Sequence, residues 1–124
     1  MILRVLCLAC FAAVLSACSS GAVIPVNNSQ TLVIESSLLV AGITAERPVI
    51  THAGVNTLAT TSLYNESNKP VTVHYRFYWY DKKGLEMHPL DTPHNVIVPP
   101  AASVDIHAIT QQPGADQARV YLYL

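Results

Sequence analysis

The sequence predicts an all-β protein, an antiparallel two-sheet β-sandwich of Ig-like type with about seven strands. Three observations carry that expectation. Short segments rich in β-branched and aromatic residues recur along the chain, each bounded by turn chemistry such as Asn65–Pro70 (NESNKP) or Asp81–Gly84 (DKKG). Helical periodicity with matching caps is nearly absent from Thr31 onward. One segment, Val71–Tyr80 (VTVHYRFYWY), alternates so regularly that it fits the pleat of a central strand.

In chain order, Thr31–Ser36 is the first strand candidate and Leu38–Thr44 the second. Glu46-Arg47-Pro48 interrupts, and Val49–Thr51 resumes as an edge, because a proline removes a ladder donor. Thr57–Tyr64 follows, ending in the polar turn Asn65–Pro70. In Val71–Tyr80, Val71, Val73, Tyr75, Phe77 and Trp79 share one face, and Thr72, His74, Arg76, Tyr78 and Tyr80 the other. Asp81–Gly84 reads as a tight hairpin loop with Gly84 supplying the positive φ, and Leu85–His88 as its returning strand. A proline-bounded loop, Pro89–Pro93, leads to Asn95–Val98, which Pro99-Pro100 closes. Ser103–Ile109 and Ala118–Leu124 complete the set, the last with Val120, Leu122 and Leu124 opposed to Arg119, Tyr121 and Tyr123. A small closed barrel is the alternative these strands leave open.

The first residues read differently. Arg4 precedes an apolar run from Val5 to Leu15, too short for the roughly 20 residues that span a bilayer. Leu15-Ser16-Ala17-Cys18 resembles the bacterial lipobox. The resemblance implies diacylglycerol on the Cys18 thiol, cleavage between Ala17 and Cys18, and acylation of the new amino group. The organisation is therefore a leader at 1–17, a lipidated N-terminus and tether at 18–30, and the β domain at 31–124. Two or three acyl chains on Cys18 hold a chain at the bilayer, where one does so only marginally. In lipoproteins of two-membrane bacteria an Asp after the cysteine retains the protein in the inner membrane. Ser19 stands there, which implies the inner leaflet of the outer membrane, facing the periplasm.

Composition narrows the functional classes. Of the three cysteines, Cys7 and Cys10 leave with the leader, so the mature chain has no internal disulfide, thiolate metal cage or redox pair. Without the leader's Arg4, six Lys/Arg face eight Asp/Glu, a balance of −2 with no run of either sign. Nucleic-acid binding requires clustered basic charge, and neither that nor a second electrostatic attachment to anionic lipid is expected.

Glu35–Leu39 with Ala41-Gly42-Ile43, Leu63–Glu66, Pro70–Asp81 (PVTVHYRFYWYD), Gly84–Leu90 (GLEMHPL) and Val120–Leu124 (VYLYL) together resemble the YcfL-like family of small bacterial envelope lipoproteins of unknown function. The likeness covers most of the mature chain and is weaker from Pro99 to Asp116. It implies a lipid-anchored β-sandwich and brings no catalytic residues with it.

Catalytic motifs are missing: there is no Gly-x-Ser-x-Gly elbow, phosphate-cradling glycine loop or His-Glu-x-x-His pair. The expectation is a non-enzyme without cofactor. His88, Asp91 and His94 share one loop, but their spacing is not a recurrent zinc pattern, and no metal ligands are assigned. The alternating face of Val71–Tyr80 is the stronger candidate. His74, Arg76, Tyr78 and Tyr80, extended by Tyr121 and Tyr123 if the last strand pairs nearby, combine residue types enriched at binding hot spots. The plain alternative is that these rings cover the sheet as cross-strand pairs. The sequence thus points to a non-catalytic module binding an envelope protein or polymer near the membrane, with a small-ligand or metal carrier or sensor as the second reading.

Overall fold

The structure is a computed structural model and describes residues 30–124. The leader, the Ala17–Cys18 junction and most of the tether lie outside the described residues. The elements are β1 (Leu32–Ile34), α1 (Ser36–Val40), β2 (Ile43–Ala45), β3 (Val49–Ala53), β4 (Asn56–Asn65), β5 (Val71–Tyr80), β6 (His94–Val98), β7 (Ser103–Thr110) and β8 (Gln117–Tyr123). They form two four-stranded sheets, the expected sandwich. Sheet I runs β1-β8-β5-β6. In sheet II, β2 pairs with the end of β4 and β3 with its beginning, while β7 covers the other edge of β4 from Thr57 to Tyr64.

The core lies between the sheets. From sheet I, Val73, Phe77, Trp79, Val98, Val120 and Leu122 are buried, and Ala59, Leu63 and Ile106 meet them from sheet II. Alternation in β5 is the one the sequence predicts, and the structure settles which face is inward: Phe77 and Trp79 are buried, and the Tyr78 and Tyr80 face lies outward. The inward indole is not left unpaired, since Trp79 Nε1 donates to Asp91 Oδ2 at 3.2 Å.

Three elements differ from expectation. Leu38–Thr44 is not one strand. Ser36–Val40 makes a single helical turn that buries Leu38 alone and leaves Leu39 and Val40 exposed. Gly42, at φ +99°, then turns the chain into β2. That turn carries the chain from sheet I to sheet II. Leu85–His88 does not return as a strand. It keeps one bridge, Tyr80 to Glu86, and one bond from Met87 N–H to the Trp79 carbonyl at 2.8 Å. Pro89, which has no N–H to donate, closes the segment before a ladder can form. Finally, β1 runs parallel to β8, so sheet I is not wholly antiparallel. No helix among the described residues is long and apolar enough to cross a membrane.

A buried polar clasp closes the end of the sandwich at which β4 ends and β5 begins. Asn65 is fully buried, and its amide donates to the Lys69 carbonyl (2.7 Å) and the Val98 carbonyl (3.0 Å). Its Oδ1 accepts from Ser67 N–H (2.9 Å) and Ser67 Oγ (2.7 Å). A residue that reads in sequence as the first member of a polar turn is thus the hub joining β4 to β6.

Candidate functional site

The six residues picked out by sequence come together on the outer face of sheet I. Antiparallel register sets His74 beside Tyr123, Arg76 beside Tyr121, Tyr78 beside Arg119 and Tyr80 beside Gln117. The two strands therefore present two adjoining rows of rings and guanidinium groups. His74 stacks on Tyr123 with centroids 5.4 Å apart and planes at 22°. Tyr121 and Tyr123 follow at 5.4 Å along β8. Arg76 lies over the Tyr78 ring at 5.5 Å, and Arg119 over the Tyr80 ring at 5.3 Å. Such contacts hold the rings in fixed orientations. Tyr121 is 37% exposed, and the others on this face are half-buried.

Both arginines are anchored from below. Arg76 Nε donates to the Asp91 carbonyl (2.8 Å), and Arg119 Nε to the Gln30 carbonyl (2.8 Å). Arg76 thus ties the outer face to the same loop residue that receives the Trp79 indole. Around these rows the face is completed by Val33 of β1, Thr72 of β5, and Asn95 and Ile97 of β6. No Asp or Glu occupies an outward position on any of the four strands. In a chain with more acidic than basic residues, this is the one sheet face with cations only.

Arg119 belongs with the six, and its alternation with Tyr121 and Tyr123 was the available signal. At the β8-start end, the face runs into a groove of about 530 Å³ lined by Tyr80, Asp81, Lys82, Lys83, Arg119 and Gln30, among others. Local reading cannot reveal that groove, because Arg119 reaches Lys82 and Lys83 only through strand pairing. The Tyr80 phenol, partly buried there, has its pKa raised above the ordinary tyrosine value by desolvation, with Arg119 opposing and Glu86 and Tyr78 adding to the rise.

The loop histidines go elsewhere. His88 faces Glu86 at 3.4 Å, His94 tilts against Tyr75 at 5.7 Å, and Asp91 receives Trp79. Among the described residues no group of three His, Cys, Asp or Glu side chains is placed to hold a metal. The short Ser–Asp contact in the molecule, Ser62 Oγ to Asp105 Oδ1 at 2.6 Å, lies on the outer face of sheet II with no imidazole bonded to the hydroxyl.

With this geometry in hand, similarity to known proteins decides the family. The family described as "Protein of unknown function (DUF1425)" matches residues 30–124, the whole of the described sandwich. The chain belongs to the DUF1425 family. It is 51% identical over 107 residues to "Uncharacterized protein YcfL" of Escherichia coli K12, covering 86% of each chain. The resemblance of the Val71–Leu90 and Val120–Leu124 blocks to YcfL therefore reflects common family membership. Among solved structures, a DUF1425 member from Shewanella sp. superposes with a TM-score of 0.62 at 14% identity, over 66% of this chain and 77% of that one. Cj0090 of Campylobacter jejuni gives 0.58 at 15% identity, over 76% of this chain and 97% of its own. At those identities the DUF1425 likeness is one of fold.

Proposed function

We propose that this DUF1425 protein is a lipoprotein held by acyl chains on Cys18 in the inner leaflet of the outer membrane, facing the periplasm. There it works without catalysis, binding an envelope protein or polymer through the outer face of sheet I. One observation carries the binding reading: the carboxylate-free ladder of His74, Arg76, Tyr78, Tyr80, Arg119, Tyr121 and Tyr123. The outer face of sheet II differs: it carries Thr60, Ser62, Asp105 and His107 with exposed Val49, Tyr64 and Ile109, and no arginine. A row of tyrosines steadied by arginines adds binding area at low entropic cost, because a rigid ring has few rotamers to lose. The anchor reading is supported by the lipobox resemblance at Leu15–Cys18 and by a tether short enough to keep the domain near its bilayer.

The test is photo-crosslinking in living cells, with a crosslinkable residue replacing Tyr78 or Tyr123 on the full lipidated chain. The expected result is one discrete adduct that disappears when Tyr121 is changed to Ala. Tyr121→Ala removes a ring that is more than a third exposed, so the fold should lose no more than about 1 kcal/mol. Absence of an adduct from both positions, in a folded and membrane-bound chain, would overturn the binding reading.

A further inference from the structure

We propose that the tether end of the sandwich docks on anionic phospholipid headgroups of the membrane that carries the chain, with Lys82, Lys83 and Arg119 receiving the phosphates. The proposal rests on the lipid-anchor reading above and adds a second, electrostatic contact to it.

Gln30 lines the groove together with Lys82, Lys83 and Arg119, and its carbonyl accepts the Arg119 Nε–H at 2.8 Å. The described chain therefore begins at the cationic groove. Residues 19–29 separate this point from the acylated Cys18, a reach of at most about 40 Å when extended. The groove itself holds three cations and one carboxylate. That carboxylate, on Asp81, is committed to the turn: its Oδ1 accepts from Lys83 N–H (2.8 Å) and Leu85 N–H (3.0 Å). Lys82 and Lys83 are exposed, free to reach outward from a turn pinned beneath them.

The loop tips at this end have a matching composition. β7 ends where β4 begins, and residues 111–116 cross from there to β8 beside Tyr80. The β3–β4 turn and the turn after β5 thus share one end of the sandwich. Their tips expose Val55 (76%) and Leu85 (62%). Exposed aliphatic side chains next to lysines suit the headgroup region, where the first enter the acyl boundary and the second stay at the phosphates. The opposite end carries Glu35, Glu66 and the C-terminal carboxylate against Lys69 alone, which an anionic surface would repel, whereas at the tether end Lys82, Lys83 and Arg119 balance Asp81, Glu86 and Asp116 and gather in the groove. The sequence holds no basic run and by itself predicts no such attachment. The cluster is made by pairing β8 with β5.

The experiment uses the full lipidated chain, purified in detergent and reconstituted into vesicles of phosphatidylcholine, or of phosphatidylcholine mixed with phosphatidylglycerol. Flotation of both samples is measured first, then the acylation rate of each lysine by mass spectrometry. Lys82 and Lys83 should react about fivefold more slowly on the anionic vesicles, since each lysine near such a surface gains from its potential. Lys69, at the far end and well beyond a Debye length of about 8 Å, should react equally on both. Equal rates at Lys82 and Lys83 on floating vesicles would overturn the docking and leave the anchor standing. Failure to float would overturn the anchor, and the docking with it. Equal protection by inorganic phosphate added to the detergent-solubilised chain would assign the groove to free phosphate and overturn the lipid assignment.

Discussion

Asn65→Ala is the substitution that most directly probes how this domain is closed. The side chain is fully buried and makes four hydrogen bonds, two as donor and two as acceptor. Truncation removes the donor to the Val98 carbonyl, in a wholly buried contact. Stranding a buried polar group costs about 1–3 kcal/mol. The Lys69 carbonyl and the Ser67 N–H are only part-buried in these contacts and can turn to water, so together they add about 1 kcal/mol. The void left by the amide adds about as much again. The expected loss is therefore about 3–5 kcal/mol, a large share of the 5–15 kcal/mol typical of a whole domain. Denaturant unfolding measures it directly, and at about 4–8 °C per kcal/mol the midpoint temperature should fall by at least about 12 °C. Asn65→Asp supplies the control on mechanism. It keeps the shape but sets a carboxylate oxygen against two carbonyls, so that variant should be the less stable at neutral pH. It should regain stability as the pH falls and the carboxyl takes up a proton with which to donate, because burial raises its folded pKa above the unfolded one. The Ala variant should show no such recovery. A loss below about 1 kcal/mol for Asn65→Ala, with no acid recovery in Asn65→Asp, would refute the account of Asn65 as the hub of the clasp.

Two further outcomes are expected. Gly42→Ala places a Cβ 3.0 Å from Ser67 Cβ and 3.1 Å from Ser67 N at a φ of +99°. It should cost about 2 kcal/mol or more in chemical unfolding. Gly54→Ala, also at positive φ but with open space around it, should cost only the backbone part; equal losses would dismiss the crowding against Ser67. Tyr80→Phe tests the desolvated phenol. Its folded pKa lies above the unfolded value, so its contribution is whole below about pH 10, the unfolded value, and fades as pH rises toward the folded one. The alkaline decline of stability should be shallower in the Phe variant, and parallel curves for the two proteins would count against a buried Tyr80.

Much of this was legible in sequence where the information is local. Strict alternation in Val71–Tyr80 sorted β5 into two faces, because a side-chain period of two sets Phe77 and Trp79 opposite Tyr78 and Tyr80, while the packing of the sheets decides which face is inward. The same period set Tyr121 and Tyr123 on one face of β8, and the register of β8 on β5 brings that face beside Tyr78. What escaped was non-local or context-dependent. Leu38-Leu39-Val40 has strand composition, yet the need to pass from one sheet to the other makes it a helical turn with one buried leucine. Asn65 has turn chemistry and is a core residue, since no pattern in NESNKP distinguishes an amide facing water from one facing two carbonyls. The parallel pairing of β1 with β8 joins residues almost ninety positions apart, and no local signal specifies it.

The same non-local pairing gives the outer face its direction. Along β5 the tether groove is at Tyr80 and the His74–Tyr123 stack is near the other end. Six residues of strand separate Tyr80 from His74, a distance of roughly 20 Å. On the proposed reading, the groove end rests on headgroups while the stacked rings stand about that far above them. A crosslinker at Tyr80 should then recover lipid, and one at Tyr123 a periplasmic partner, from the same chain. Arg119 stands at the junction: its Nε holds the incoming tether, its plane lies on Tyr80, and its strand neighbour across the ladder is Tyr78. Arg119 links the start of the described chain to the aromatic face, beside the backbone bond from Val120 N–H to the Thr31 carbonyl at 2.9 Å. On the proposed reading, the docked groove and this side chain together orient the face relative to the headgroups.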